Sequence, residues 1–231
     1  MISKIIKQVK NRIADAAEKS GRNPQSIRLV AVSKGVSFEK ITESGNCGHQ
    51  LFGENKVQEA MEKIERLGRD FYRWHFIGHL QKNKVKFVVG QFDLIHSIDS
   101  ASLAEAVHKK SCEHNTVTPV LIQVNVSGEE SKFGVDPGNL KKTLQKIVGL
   151  RGLRVEGLMT IPPWDPDPEN SRTYFSLLRT LRDDMVKLGM DHIGLDELSM
   201  GMSHDFHVAI EEGATLVRLG TAIFGPRKTT G

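Results

Sequence analysis

The stretch LVAVSKG, Leu29 to Gly35, is a short apolar run that ends on a charged side chain. Its β-branched and apolar residues are typical of a strand buried on both faces, and the stretch that follows it, FEKITESG, is predicted to be a helix. A buried strand followed by a helix is the repeating unit of parallel α/β folds. The stretch therefore predicts an α/β protein and places Lys34 at the carboxyl end of a strand.

The same unit recurs along the chain, with apolar segments alternating with longer stretches of helical periodicity. The predicted strands are Arg28 to Ser33, Gln50 to Gly53, Trp74 to Ile77, Leu94 to Ser97, Pro119 to Val126, Arg154 to Met159, Glu197 to Met200 and Thr215 to Leu219. Apolar residues at helical spacing between Met1 and Gly21 predict an extra N-terminal helix. Eight such units predict a single (β/α)8 TIM barrel domain spanning residues 1–231. A doubly wound open sheet is the main alternative, although it usually has fewer strands for this length.

Composition excludes several classes of protein. Hydrophobic residues make up 39% of the chain and charged residues 26%, and no apolar run approaches the roughly 20 residues of a membrane span. The first helix lacks the apolar core and the cleavage site of a signal peptide. Two cysteines, Cys47 and Cys112, suggest neither a disulfide framework nor a cysteine metal cage. We therefore expect a cytoplasmic protein with no membrane partner and, since no long apolar helix face demands a partner, a monomer.

Charge and histidine patterns suggest neither nucleic acid nor a metal as a ligand. The chain has 32 Lys and Arg against 28 Asp and Glu, and binding to nucleic acid requires cations to cluster. The best cluster, Lys82, Lys84 and Lys86, forms either a solvated helix face or a rim that attracts anions. The histidines of HFIGH span a strand end and a loop, and those of HDFH lack a third ligand, so no metal site is predicted.

Lys34 is the first candidate for chemistry, because ligands of (β/α)8 barrels bind at the carboxyl ends of the strands. One interpretation is a salt-bridged or snorkelling lysine at a strand end. The other is a nucleophile, since a low-dielectric environment lowers the pKa of an amine and lets it form a Schiff base with an aldehyde. A sugar aldehyde and pyridoxal 5'-phosphate (PLP) both fit this chemistry.

The loops after predicted strands seven and eight, in ELSMGMSHDF and RLGTAIFG, favour a phosphorylated ligand. Ser203, Gly220 and Thr221 supply hydroxyl and backbone N–H donors where such barrels often bind phosphate, although Ser203 also fits the N-cap of the next helix. Arg218 lies on the same face of strand eight as Gly220. It either pairs with an internal carboxylate such as Glu197 or donates to a pyridine nitrogen, which would then stay unprotonated and weaken the ring as an electron sink.

Seven stretches, in order along nearly the whole chain, closely resemble the pyridoxal phosphate homeostasis protein family, relatives of the alanine racemase N-terminal domain: AVSKG, FGENKVQEA, WHFIGHLQKNK, VNVSGEESKFGV, GLMTIPP, ELSMGMSHDFHVAI and RLGTAIFG. The resemblance implies a (β/α)8 barrel with PLP held as a covalent aldimine on Lys34. It implies that the phosphate lies near Ser203, Gly220 and Thr221 and that Arg218 faces the pyridine nitrogen. Further residues implied to lie near the cofactor are Asn55, His79, Met200 and Met202.

The resemblance also implies a non-catalytic role in intracellular PLP, or vitamin B6, homeostasis, with PLP and PLP-dependent apoenzymes as partners. Racemisation needs a second acid/base group opposite the lysine, commonly a tyrosine. Neither tyrosine fits this role, because Tyr72 precedes strand three and Tyr174 lies in the helix after strand six. Little sequence follows strand eight that could supply such a group. No catalytic residue is therefore predicted. A PLP-dependent amino-acid racemase or decarboxylase and a Schiff-base aldolase are the alternatives. Lys56 stands where many relatives have tyrosine, which leaves the details of the pocket entrance open.

Overall fold

Eight parallel strands close into a barrel in the computed structural model, which describes residues 1–226. Each strand pairs with its neighbours in sequence, and β1 pairs with β8 to complete the ring. The strands are β1 (Arg28–Val32), β2 (Leu51–Glu54), β3 (Arg73–Phe76), β4 (Leu94–Ile98), β5 (Thr118–Gln123), β6 (Leu153–Met159), β7 (Ile193–Ser199) and β8 (Leu216–Leu219). The predicted (β/α)8 barrel is therefore confirmed, and the open-sheet alternative is wrong.

Helices follow the strands and one helix precedes them. They are α1 (Ile2–Lys19), α2 (Phe38–Asn46), α3 (Val57–Leu67), α4 (Val85–Val88), α5 (Ala101–Glu113), α6 (Leu140–Ile147), α7 (Arg172–Val186), α8 (Phe206–Glu211) and α9 (Thr221–Phe224). The predicted extra helix is α1, which buries its apolar stripe and packs against α8 and α9. Across residues 1–226, no helix combines the length and the apolar character that crossing a membrane requires.

Two strand boundaries differ from the prediction by three or more residues, whereas the other boundaries agree to within one residue. β7 begins at Ile193 rather than Glu197, because its first half contains exposed and half-buried residues such as Asp196 and lacks the apolar signal of a buried strand. β5 ends at Gln123 rather than Val126, because the backbone N–H of Asn125 donates to the carbonyl of Val135, in the loop that follows β5, instead of to a neighbouring strand. The start of β7 therefore lacks the apolar pattern by which a buried strand is recognised in the sequence, whereas the chain just after β5 is bound to a loop.

Apolar side chains form two clusters. The larger cluster includes Phe52 and Trp74 and fills the layer between the strands and the surrounding helices. The smaller one has one residue from each of five strands: Val30, Leu94, Leu121, Met159 and Leu216. These five strands surround the barrel axis, so the smaller cluster occupies part of the barrel interior and leaves the rest to the polar side chains described below.

Gly157 of β6 pairs with Glu197 of β7, and a Cβ atom added at Gly157 would overlap the carbonyl oxygen of Glu197. We expect Gly157→Ala to lower the free energy of unfolding by about 3 kcal/mol, because backbone on both sides prevents relaxation. Urea denaturation measures the change. Gly149→Ala is the matched control, since a Cβ atom there meets no atom within 4 Å. Equal stability of the two variants would contradict the assigned strand contact.

Candidate functional site

A cavity of about 610 Å³ opens at the carboxyl ends of β1, β2 and β8. It brings together three predicted site residues from distant parts of the chain, Lys34, Asn55 and Gly220. The other lining residues are Val32, Gly35, Val36, Ser37, Lys40, Lys56, Glu59, Phe224, Gly225 and Pro226. Barrel closure between β1 and β8 explains why the first and last strands contribute to one site.

Lys34 is half-buried in a tight turn that follows β1. The Val36 N–H donates to the Ser33 carbonyl at 2.9 Å and closes the turn. Gly35 has a φ of +69°, in the left-handed region that a side chain disfavours. The reversal of the chain at this turn therefore places Lys34 among the residues that line the cavity.

Ser203 connects the loops after β7 and β8. Its hydroxyl oxygen accepts hydrogen bonds from the backbone N–H groups of Gly220 and Ala222, both at 3.2 Å. The alternative role as N-cap of α8 is wrong, because Asp205 occupies that position and its carboxylate accepts from the Met202 N–H at 2.6 Å. Two N–H donors at the start of α9 thus converge on one oxygen atom, an arrangement that also suits a phosphate oxygen.

Arg218 lies inside the barrel with only 4% of its surface exposed. Its guanidinium donates to the Ser199 hydroxyl at 2.5 Å and to the Thr160 carbonyl at 2.8 Å. The predicted alternative, an ion pair with Glu197, is wrong because the Glu197 carboxylate accepts from Arg28 at 2.7 Å. Burial lowers the pKa of Arg218 to about 10, so the side chain remains a cation and a donor at neutral pH.

Two buried histidines continue the chain of hydrogen bonds from Arg218. The Ser199 hydroxyl lies 2.8 Å from His96 Nδ1, and His96 Nε2 lies 2.9 Å from His75 Nδ1. Burial lowers the pKa of His96 well below its ordinary value and that of His75 to about 3, so both rings are neutral at pH 7. Because Arg218 can only donate, the Ser199 hydroxyl accepts from Arg218 and donates its own proton to His96 Nδ1. His96 then carries its ring proton on Nε2 and donates it to His75 Nδ1.

The remaining predicted residues are not among those that line the cavity. The ring of His79 stacks on Phe133 with centroids 3.7 Å apart, and its Nδ1 lies 3.3 Å from Asp99. Met200 is fully buried in the larger apolar cluster, and Thr221 is exposed as the first residue of α9. Met202, half-buried, lies in the loop after β7. Their contact with a ligand stays a prediction.

Sequence reasoning missed two groups of residues near the site. The first is the interior chain through Ser199 and His96, for which the only signal was a polar residue at a buried strand position. The second is Lys63, which donates to Glu54 and Glu59 beneath the turn that carries Lys34. Its signal was a lysine on the buried stripe of an amphipathic helix.

Known proteins resemble this chain over nearly its whole length. The family model of the alanine racemase N-terminal domain matches residues 6–228. The pyridoxal phosphate homeostasis protein of Aquifex aeolicus is 49% identical, over 96% of this chain and 97% of that protein. The one from Escherichia coli is 40% identical, over 95% and 94% respectively. The structure of PipY from Synechococcus elongatus with PLP bound has a TM-score of 0.85 and 33% identity, covering 97% of this chain and 100% of PipY.

The buried histidines predict how stability depends on pH. Their folded-state pKa values lie below the unfolded value near 6.5, so their contribution is fully present above about pH 6.5 and is lost as the pH falls through the folded-state values, which for His75 means about pH 3. Each adds a slope of about 1.4 kcal/mol per pH unit below that point. We expect His75→Gln to reduce the slope measured by urea denaturation between pH 7 and pH 5. His114→Gln, at an exposed site, controls for the loss of one histidine, and an unreduced slope in His75→Gln would contradict the assignment.

Proposed function

Because the chain belongs to the pyridoxal phosphate homeostasis protein family, within the alanine racemase N-terminal domain family, we propose that it binds PLP as a Schiff base on Lys34 and acts in cytoplasmic PLP homeostasis. The observation that carries the proposal is the cavity that holds Lys34, Asn55 and Gly220 beside the Ser203 hydroxyl. The PLP bound to PipY, a structure 33% identical in sequence, supports this choice of ligand. PLP-dependent apoenzymes are the proposed recipients of the ligand.

The donors at the start of α9 fit the phosphate of PLP. The backbone N–H groups of Gly220 and Ala222 converge on the Ser203 hydroxyl oxygen, and the hydroxyl has a donor of its own. A phosphate oxygen accepting from such groups forms charge-assisted hydrogen bonds, which are stronger than neutral ones. We propose that these three groups, with the Thr221 hydroxyl, orient the ligand by its phosphate.

The amine of Lys34 fits the other end of the ligand. PLP supplies an electrophilic aldehyde when it is bound. Lys34 Nζ, as the neutral amine, would bond to that aldehyde carbon, and the carbonyl oxygen would leave as water with the two hydrogen atoms of the amine. Asn55 lines the same cavity, and its buried Oδ1 has no hydrogen-bond partner among residues 1–226. Asn55 is therefore available to accept a hydrogen bond from a ligand.

Two features support a holding role rather than catalysis. Arg218 is fixed as a buried donor by Ser199 and Thr160, and a donor facing the pyridine nitrogen keeps that nitrogen unprotonated, which makes the ring a weak electron sink. Neither tyrosine is among the residues that line the cavity: Tyr72 is buried in the apolar layer before β3, and Tyr174 lies on α7. The alternative, an amino-acid racemase or decarboxylase, would turn over amino acids in a Lys34-dependent way.

We expect borohydride reduction of the PLP-treated protein to fix a pyridoxyl group on Lys34, identified by peptide mass mapping. Lys34→Ala is expected to remove the adduct and the visible absorbance while the protein stays folded by circular dichroism. Lys40→Ala and Lys56→Ala are matched controls, since both lysines line the same cavity and should leave the adduct on Lys34. An adduct confined to any other lysine would sink the proposal.

We expect the double variant Ser203→Ala, Thr221→Ala to weaken PLP binding at least tenfold, since each charge-assisted hydrogen bond contributes about 1.5 to 3 kcal/mol. Equilibrium dialysis with PLP measures the dissociation constant. The control is Ser102→Ala with Thr173→Ala, two exposed hydroxyls on α5 and α7. An unchanged dissociation constant in the first variant would falsify the phosphate assignment.

A further inference from the structure

A cluster of buried charges lies beneath the turn that carries Lys34. Its centre is Lys63 of α3, which is only 4% exposed although lysine is rarely buried. Lys63 Nζ donates to Glu54 Oε1 at 2.7 Å, to Glu59 Oε1 at 2.6 Å and to the Ser33 carbonyl at 2.6 Å. All three ammonium hydrogens of Lys63 therefore have an acceptor.

The cluster holds the backbone on both sides of Lys34. Lys63 binds the carbonyl of Ser33, the residue before it. Glu59 Oε1 accepts a hydrogen bond at 2.5 Å from the N–H of Gly35, the residue after it. The Ser33 hydroxyl adds a third connection by donating to Glu54 Oε1 at 2.7 Å. One ion pair on α3 thus fixes the two peptide groups that flank the amine.

Stability alone does not account for this cluster. The neighbours of Lys63 on the buried stripe of α3 are apolar, namely Val57, Ala60 and Ile64. Removing charges from water is costly, and apolar residues of similar volume are often at least as stabilising as a buried ion pair. Glu54 Oε2 is also buried without a hydrogen-bond partner among the described residues. The arrangement is better explained by the backbone conformation that it holds.

We propose that Lys63 and Glu59 are positioning residues that hold the Ser33–Gly35 turn so that Lys34 Nζ faces the aldehyde carbon of a bound ligand. This inference rests on the proposed function, since it concerns the same amine. Lys63 and Glu59 act through the backbone of the Ser33–Gly35 turn, whose direction they fix. The phosphate of the ligand is assigned to the donors at the start of α9 instead. Their loss should therefore slow bond formation at Lys34 while leaving the non-covalent recognition of the ligand intact.

Two ligands separate these effects. PLP carries the aldehyde, whereas pyridoxine 5'-phosphate has an alcohol at that position and cannot bond to an amine. We expect Glu59→Ala to slow the formation of the Schiff base with PLP at least tenfold. Stopped-flow absorbance measures the rate. Glu59 lines the cavity, but its Oε1 is bound to Lys63 and to the Gly35 N–H, so the dissociation constant of Glu59→Ala for pyridoxine 5'-phosphate is expected to change less than twofold. Lys63→Met should slow the reaction at least as much.

The variants are chosen so that misfolding does not decide the outcome. Glu59 is half-buried, and its loss leaves Lys63 bound to Glu54 and Ser33, so Glu59→Ala is expected to fold even where Lys63→Met does not. Glu62→Ala is the matched control, because it removes an exposed carboxylate from the same helix. Circular dichroism establishes that each variant is folded.

Three results would overturn the inference. Rates for Glu59→Ala within twofold of the unaltered protein would show that the turn needs no such support. Equal weakening of both ligands would indicate a structural effect on the whole cavity. If the unaltered protein forms no adduct at Lys34, both this inference and the proposed function fail, whereas normal adduct formation with unchanged variant rates overturns this inference alone.

Discussion

Closure of the barrel between β1 and β8 is the constraint on which the site depends. The two strands pair in parallel, with Ala31 opposite Leu219, so the chain leaves both strands at the same level of the barrel. Lys34 and Gly220 therefore line one cavity although 186 positions separate their numbers in the sequence (220 minus 34). The pairing is made by backbone hydrogen bonds, so the distance between the backbone at Lys34 and the backbone N–H groups at the start of α9 is set by the fold.

The interior of the barrel adds an electrostatic constraint. Arg218 is a buried cation whose hydrogen-bond partners, the Ser199 hydroxyl and the Thr160 carbonyl, are both neutral. The histidines beyond Ser199 are neutral as well, since burial lowers the pKa of each. Arg218 therefore places on β8 a buried cation two residues before Gly220, and the Asp205 carboxylate is an anionic group that acts on it.

The fold and part of the site follow from simple patterns. Buried strands are marked by apolar runs, and the residues just after them, such as Lys34 and Gly220, lie at the mouth because all eight strands are parallel. Lys63 was missed because Glu59 and Lys63 have the spacing of an ordinary surface ion pair, and only the packing of α3 shows that the pair is buried. His96 was missed because its partners, Ser199 and His75, come from other strands, and their contact depends on barrel register. The hydrogen bonds that Ser203 accepts from Gly220 and Ala222 also depend on tertiary structure, because they form only where α9 packs beside the loop after β7.

The packing of α1 against α9 has a consequence for biosynthesis. The first helix of the described chain contacts the last one, and β1 has no partner on one side until β8 is present. Contacts between residues so distant in sequence form late, because loop closure must precede them. A nascent chain still lacking Gly220 has Lys34 but neither the closed ring nor the donors of α9. The cavity is therefore complete only when the barrel is complete, and ribosome-bound fragments that end before Gly220 would lack it.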